Sequence, residues 1–264
     1  MDLVSFRLIA FFTICLFSFT EVNGQADFRT VANNAFKPGE TLDYRIHYGL
    51  VDAGEARLHI KPTIYQVNNR PTFHVVGTGR TLGAFDWFFK VRDRYESYID
   101  TMALIPWIFV RRIDEGGYVK NQDVSFDHHN RTAKSNTATI PVPENVQDLV
   151  SAFYYARNLD FTNAKPGQSF PFKAYLDDEV FSMTIKYLGK ETLKTKLGTF
   201  NCIKFRPMLL QGRVFKEEED MTVWVSDDAN RIVVRAQAEI LVGSIKMDLK
   251  GYSGLANPLS SKKK

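Results

Sequence analysis

From Ile232 the chain changes sides at every residue. Ile232, Val234, Ala236, Ala238 and Ile240 fall in one phase of a two-residue period, and Val233, Arg235, Gln237, Glu239 and Leu241 in the other. Ile245, Met247 and Leu249 then alternate with Lys246, Asp248 and Lys250. A period of two belongs to a strand with one face packed and one wet. Asp227, Asp228 and Asn230, and later Gly243 and Ser244, supply turn chemistry between the alternating runs. Residues 221–252 therefore predict an antiparallel meander.

The same rule runs back through the chain and predicts strands over residues 41–49, 53–61, 72–82, 91–100, 107–114, 118–127 and 133–140. After an interruption it predicts further strands over 169–176, 181–188 and 201–207. Glu115-Gly116-Gly117 is a hairpin signal, and Pro106 stands where a strand tolerates proline, at its start. Gly77 and Gly79, two apart, share a face and permit sharp curvature, as do Ala53, Gly54 and Ala56. Phe85, Trp87, Phe88 and Phe89 break the alternation, which suggests a tight turn or short helix over 83–91.

One segment has helical period instead. Val146, Leu149, Val150, Phe153, Tyr154 and Arg157 mark one face of a helix over about 146–157, with Asn145 as its cap and Asp148 in its first turn. A single helix of that length cannot cover two sheets. The expected fold is mainly β: one curved antiparallel sheet, open and β-barrel-like, with this main amphipathic helix on its concave side. Ala164-Lys165-Pro166-Gly167-Gln168 echoes Phe36-Lys37-Pro38-Gly39-Glu40, each before a strand. That pairing predicts a single β-rich domain, 36–254, in two halves, 36–143 and 164–254, joined by the helix. A flexible N-terminus over 25–35 and a tail over 255–264 flank it.

Residues 8–19 are a mostly apolar run after Arg7, too short for a span of about 20 residues. They fit a secretory signal, residues 1–24, cleaved between Gly24 and Gln25. Its removal takes away Arg7, Asp2 and Glu21, a net −1, and moves the formal charge from +4 to +5. The charges are dispersed apart from Lys262-Lys263-Lys264, and no nucleic-acid-binding stripe accompanies them. The 35 aromatic residues provide for a large core, and Cys202, alone after signal removal, reads as a small buried hydrophobe.

Chemistry is sparse. His47, His59, His74, His128 and His129 show no metal-ligand spacing, so no metal and no cofactor is expected. There is no nucleophile elbow, phosphate loop or dinucleotide fingerprint, and no residue is assigned a catalytic role. The acidic runs 177–179 and 217–220 read as solvated turns, since a catalytic carboxyl needs partial burial. Asn130-Arg131-Thr132 matches a glycosylation acceptor, relevant only in a eukaryotic secretory pathway. The stretch that draws attention pairs the aromatics at 85–89 with Arg92 and Arg94. An apolar lining with a few cations suits a lipid or another amphipathic anion, so Trp87, Phe88, Arg92, Arg94, Trp107 and Tyr154 are the candidate ligand-binding residues. The competing reading puts these aromatics in the core and pairs the arginines with Glu96 and Asp100.

With these residues in place, the chain resembles a family of exported Gram-negative bacterial proteins known only as a domain of unknown function. The resemblance rests on Pro38-Gly39-Glu40 with Leu42, Tyr44, Tyr48, Gly49 and Ala53-Gly54, and on Arg92-Asp93-Arg94 with Glu96-Ser97 and Asp100. It continues through Asp148, Ser151, Tyr154, Tyr155 and Arg157, then Leu197-Gly198-Thr199-Phe200, Trp224-Val225-Ser226-Asp227-Asp228 and Val242-Gly243-Ser244-Ile245. It implies a periplasmic or outer-envelope location and carries no catalytic residues. The architecture also resembles the half-barrel lipoprotein carriers of that compartment. The expected function is a non-enzymatic envelope module that binds or carries an apolar or amphipathic ligand, with no transmembrane segment after signal removal. An envelope assembly protein with a protein partner, and a hydrolase with a site assembled from distant strands, are the alternatives.

Overall fold

The computed structural model describes residues 28–209, 221–240 and 243–263. The predicted signal with its Gly24/Gln25 junction, and the acidic run 217–220, lie outside the described residues. The alternation resolves into one antiparallel sheet. Its first part comprises β1 (Thr41–Tyr48), β2 (Val51–Val67), β3 (Arg70–Thr81), β4 (Arg92–Asp100), β5 (Pro106–Glu115), β6 (Tyr118–Asp127), β7 (Thr132–Lys134) and β8 (Thr139–Pro141). Its second part comprises β9 (Ser169–Leu176), β10 (Glu179–Thr195), β11 (Gly198–Leu209), β12 (Met221–Ser226), β13 (Val233–Glu239) and β14 (Ser244–Ser253). The strand order is β8-β7-β6-β5-β4-β3-β2-β1-β14-β13-β12-β11-β10-β9, so two meanders meet where β1 pairs with β14.

The two edge strands do not pair with each other, so the sheet is not a closed barrel. It curls far enough for one residue to span the gap. Gln147 makes a parallel bridge to Ala174 of β9: its N–H donates to Lys173 O at 2.9 Å, and its C=O accepts from Tyr175 N at 2.7 Å. The β9–β10 turn crosses as well, Asp177 binding Arg111 at 2.8 Å and also Lys120. Asp177 and Asp178 both have positive φ, as a two-residue hairpin turn requires, and Tyr175 and Thr137 donate to Asp178. This acidic run is a cross-sheet clasp rather than a solvated turn.

Three sequence readings are corrected locally. Residues 133–140 form two short strands, because the Ser135 hydroxyl accepts from Thr137 N and Ala138 N and turns the chain between them. The strict alternation from Ile232 fails at one residue. A bulge opposite Trp224 and Val225 leaves Val234 unpaired, so Val233 faces inward with Ala236 while Val234 packs on the other face with Trp224, Phe200 and Cys202. The helix α2 is Leu149–Ala156, shorter than 146–157, because Gln147 is taken by the bridge to β9. Its cap is Asp148, not Asn145, which sits at φ +59°. The Asp148 carboxylate accepts from Val150 N and Ser151 N, and Ser151 Oγ accepts from Asp148 N, a capping box of about 1 kcal/mol.

α2 lies between two buried clusters. One joins Phe73, Val75, Phe109, Val124 and Phe126 of the first meander to Val150 and Tyr154 of α2. The other joins Leu42, Tyr44 and Leu249 to Tyr187, Phe205, Val223 and Val233 of the second. Phe153 packs against both. The helix is fastened at its far end by Arg157, whose guanidinium donates to both oxygens of Glu40, at 2.5 and 2.9 Å, and to Ala35 O and Asn230 O. Burial works against this charge, but the Glu40 hydrogen bonds outweigh it and hold the guanidinium pKa above its ordinary value. Residues 28–36 lie along the sheet: Phe28 meets Trp107, and Arg29 donates to Ala103 O. The tail folds back too, with Lys263 N donating to Thr199 O.

Candidate functional site

Beside α2, on the concave side of the second meander, lies an apolar cavity of about 510 Å3. Its size falls in the range of about 300–1,000 Å3 typical of ligand pockets. Small side chains create it: Ala152 and Ala156 on one turn-to-turn stripe of α2 face Ala236 and Ala238 of β13 across the space. Phe161 closes the deep end, stacked 6.3 Å from Phe205, with the Arg231 guanidinium 5.5 Å from the Phe161 ring. Arg231 donates to Leu159 O, and burial lowers its pKa. The opposite end is lined by Ile46, Met183, Pro207, Met221 and Ile245. Leu149 and Ile245, 36% and 41% exposed, mark the mouth. The chemistry on offer is therefore an apolar cavity with cations, Arg157 and Arg231, only near Phe161. No group of three or more His, Cys, Asp or Glu side chains suited to a metal occurs among the described residues.

The six residues picked from the sequence do not converge on this cavity. Trp87 and Phe88 lie on α1 (Gly83–Phe88), a six-residue helix between β3 and β4 with no buried residue, their rings 4.6 Å apart. Arg92 donates to Asp86 of the same helix at 2.6 and 2.9 Å, not to Asp100. That contact, with Thr81, draws the Asp86 pKa down to about 2. Arg94 pairs with Glu96 on the convex face at 2.7 Å. Trp107 is buried and donates to Asp100, which Arg70 also binds at 2.7 Å. Tyr154 is buried against Phe36, ring centroids 4.8 Å apart. Asp100 keeps a lowered pKa although burial opposes it, because Arg70, Ala103 N and Trp107 all donate to it.

The histidines make no common site either. His47 meets Asp248 at 3.2 Å, His59 meets Thr41, His74 meets Glu96, and His128 Nε2–H donates to Pro106 O. Cys202 is buried, its pKa pushed up to about 12 first by desolvation, so it is not a reactive thiol.

The family profile described as a protein of unknown function (DUF3108) matches residues 43–250. The chain belongs to this family. Among solved structures it is similar to a β-barrel-like protein of the DUF1849 domain of unknown function from Brucella abortus, at 9% identity and a TM-score of 0.51. That match covers 86% of this chain and 98% of the other. Weaker likenesses are a candidate lipoprotein from Parabacteroides distasonis (13% identity, TM-score 0.39, 86% and 100% covered) and a DUF1089 protein from Pseudomonas aeruginosa (11%, 0.36, 79% and 95%). The first of these likenesses speaks to the fold alone. Comparison with curated proteins gives no significant match.

Every residue lining the cavity, from Ile46 to Met247, falls inside the span shared with the DUF3108 family. Sequence reasoning placed Ala236 and Ala238 together in one phase of a strand. It missed Ala152, Ala156, Phe161 and Arg231. The signal for the first two was present: alanines four apart on the predicted helix are a stripe one turn long that fills little space. No helix among the described residues is long and apolar enough to cross a membrane.

Proposed function

We propose that this DUF3108 protein is an exported carrier that holds an apolar or amphipathic ligand in the concavity of its second meander. The observation that carries this reading is the 510 Å3 space itself, apolar along its walls and partly open. A sealed and empty void of that volume, at about 24 cal/mol per Å3, would cost on the order of 12 kcal/mol, as much as a whole domain's stability. An open apolar channel avoids that cost when a ligand fills it, each buried methylene contributing about 0.8 kcal/mol. Arg231 beside Phe161 suits a ligand with one polar or anionic terminus. The predicted signal peptide supports a location in the bacterial envelope. Native mass spectrometry of protein purified from its own host is the test. The expected spectrum shows a mass adduct that organic extraction releases as lipid, and an N-terminus beginning at Gln25. A spectrum free of adducts, with no uptake of a fluorescent fatty acid, would sink the reading.

A further inference from the structure

Two features of the cavity beside α2 narrow what it holds, and the first is its shape. α2 and β13 run along it in opposite directions. Arg157, just past α2, donates to Asn230 O, just before β13, at 3.0 Å, while Leu149 and Ala238 line the cavity at the other end. Val233 and Ala238, both in its wall, are five strand steps apart, about 17 Å. Spread over that length, 510 Å3 gives a mean cross-section of about 30 Å2, one hydrocarbon chain wide. The content agrees. A group the size of a water takes about 30 Å3 in a liquid, so the space holds on the order of 17 such groups, one long acyl chain and not two. Met183, Met221 and Met247 stand along it, flexible unbranched side chains that adapt to a bending chain.

The second feature is a cation with donors to spare. Two arginines line the cavity, Arg157 and Arg231. The charge of Arg157 is matched by Glu40, and all three of its guanidinium nitrogens donate. Arg231 has no carboxylate partner among the described residues. Of the two acids whose fields reach it, Asp227 is bound by Lys190 at 2.8 Å, and Asp160 accepts from Thr162 N in the open. Nη1 of Arg231 donates to Leu159 O and Arg157 O, which leaves its Nε–H and Nη2 without partners among the described residues. That edge is the one with which a guanidinium grips a carboxylate through two parallel hydrogen bonds.

We infer that the ligand is a long-chain monocarboxylate, a single acyl chain whose carboxylate seats on the Nε–Nη2 edge of Arg231. Its tail lies between the alanines of α2 and β13 and runs toward Leu149 and Ile245. This names the substrate class of the carrier reading above and rests on it. Two chains do not fit the width, and an uncharged chain leaves Arg231 unmatched.

Protein purified from its host and freed of bound lipid on a hydrophobic resin is titrated calorimetrically with palmitate and with hexadecanol, chains of equal length that differ in charge. Palmitate should bind at least about tenfold more tightly. Arg231→Gln should shrink that preference to about twofold or less, and Arg231→Lys should restore part of it. The wild-type comparison holds even where a variant does not fold. The carboxyl resonance of bound [1-13C]palmitate gives an independent reading, since a carboxylate on Arg231 should titrate below the value of the free acid. Equal affinity for the two chains, a resonance that titrates as in the free acid, or a native adduct with two acyl chains overturns the inference and leaves the carrier reading standing. Failure to bind palmitate overturns it too. Only when the native spectrum is also free of adducts does the carrier reading fall with it.

Discussion

The two meanders share a strand pattern and differ in what fills their concave faces. The first is filled. Phe73, Phe109, Val124 and Phe126 point inward, α2 sets Val150 and Tyr154 on them, and Tyr175 arrives from β9, its ring 5.4 Å from Phe126. The second is hollow. Its strands put Ala236 and Ala238 where the first puts phenylalanines, and α2 turns Ala152 and Ala156 toward them. Both sides therefore hold a buried cluster, and the second differs by the space left beside α2.

The largest effect should come from the joint between the sides. Glu40→Ala leaves Arg157 buried without its carboxylate and should cost about 3–5 kcal/mol by chemical denaturation. Next, Phe109→Ala on the filled side should cost about 3–5 kcal/mol, whereas Met221→Ala at the cavity should cost less than half as much. Equal losses would mean that the second side is packed as tightly as the first.

Enlarging side chains sharpens the contrast in the opposite sense. Ala133→Phe, in the filled cluster, should overpack and destabilise by about 1–3 kcal/mol or more. Ala236→Phe should leave the unfolding midpoint nearly unchanged and abolish the ligand adduct in native mass spectrometry. A midpoint loss as large as that of Ala133→Phe would show that no space exists there.

A further effect concerns pH. Asp148 is buried, and desolvation raises its pKa to about 6 even though Ser97 and Ser151 donate to it. A carboxyl with a raised folded pKa stabilises most below its unfolded value. That contribution fades as pH rises from about 4 to about 6, by up to about 3 kcal/mol, and stays flat above. Asp148→Asn keeps a capping side chain and should remove this slope from a plot of unfolding free energy against pH. An unchanged slope would assign it to other groups.

Much of the fold was legible because strand alternation and turn chemistry are local. β6 and β9 begin and end where the pattern places them, and Gly116-Gly117, both at positive φ, make the expected hairpin. The helix start was misread because Gln147 serves a strand on the far side of the molecule, a partner that no local pattern reveals. The Val234 bulge was likewise invisible, since all residues around it suit a strand in either phase. The aromatic run at 85–89 was legible as an irregularity, but not its direction. A six-residue helix with no buried residue leaves Trp87 and Phe88 to meet each other in the open, while Phe89, just past it, rests against Gly116.

Sequence alone determined the class of structure: a curved β meander with one main helix, dispersed charge and no local catalytic signature, because each of these depends on neighbours within a few residues. The curved, open sheet was expected as well; only the tertiary structure decided that the alanines of α2 and β13 face each other and that Trp87 stands in the open. A hollow is a relation between side chains up to about 200 residues apart in the chain, from Ile46 to Met247, set by how strongly the sheet bends. Curvature of that kind comes from the accumulated twist of many strands rather than from any one of them.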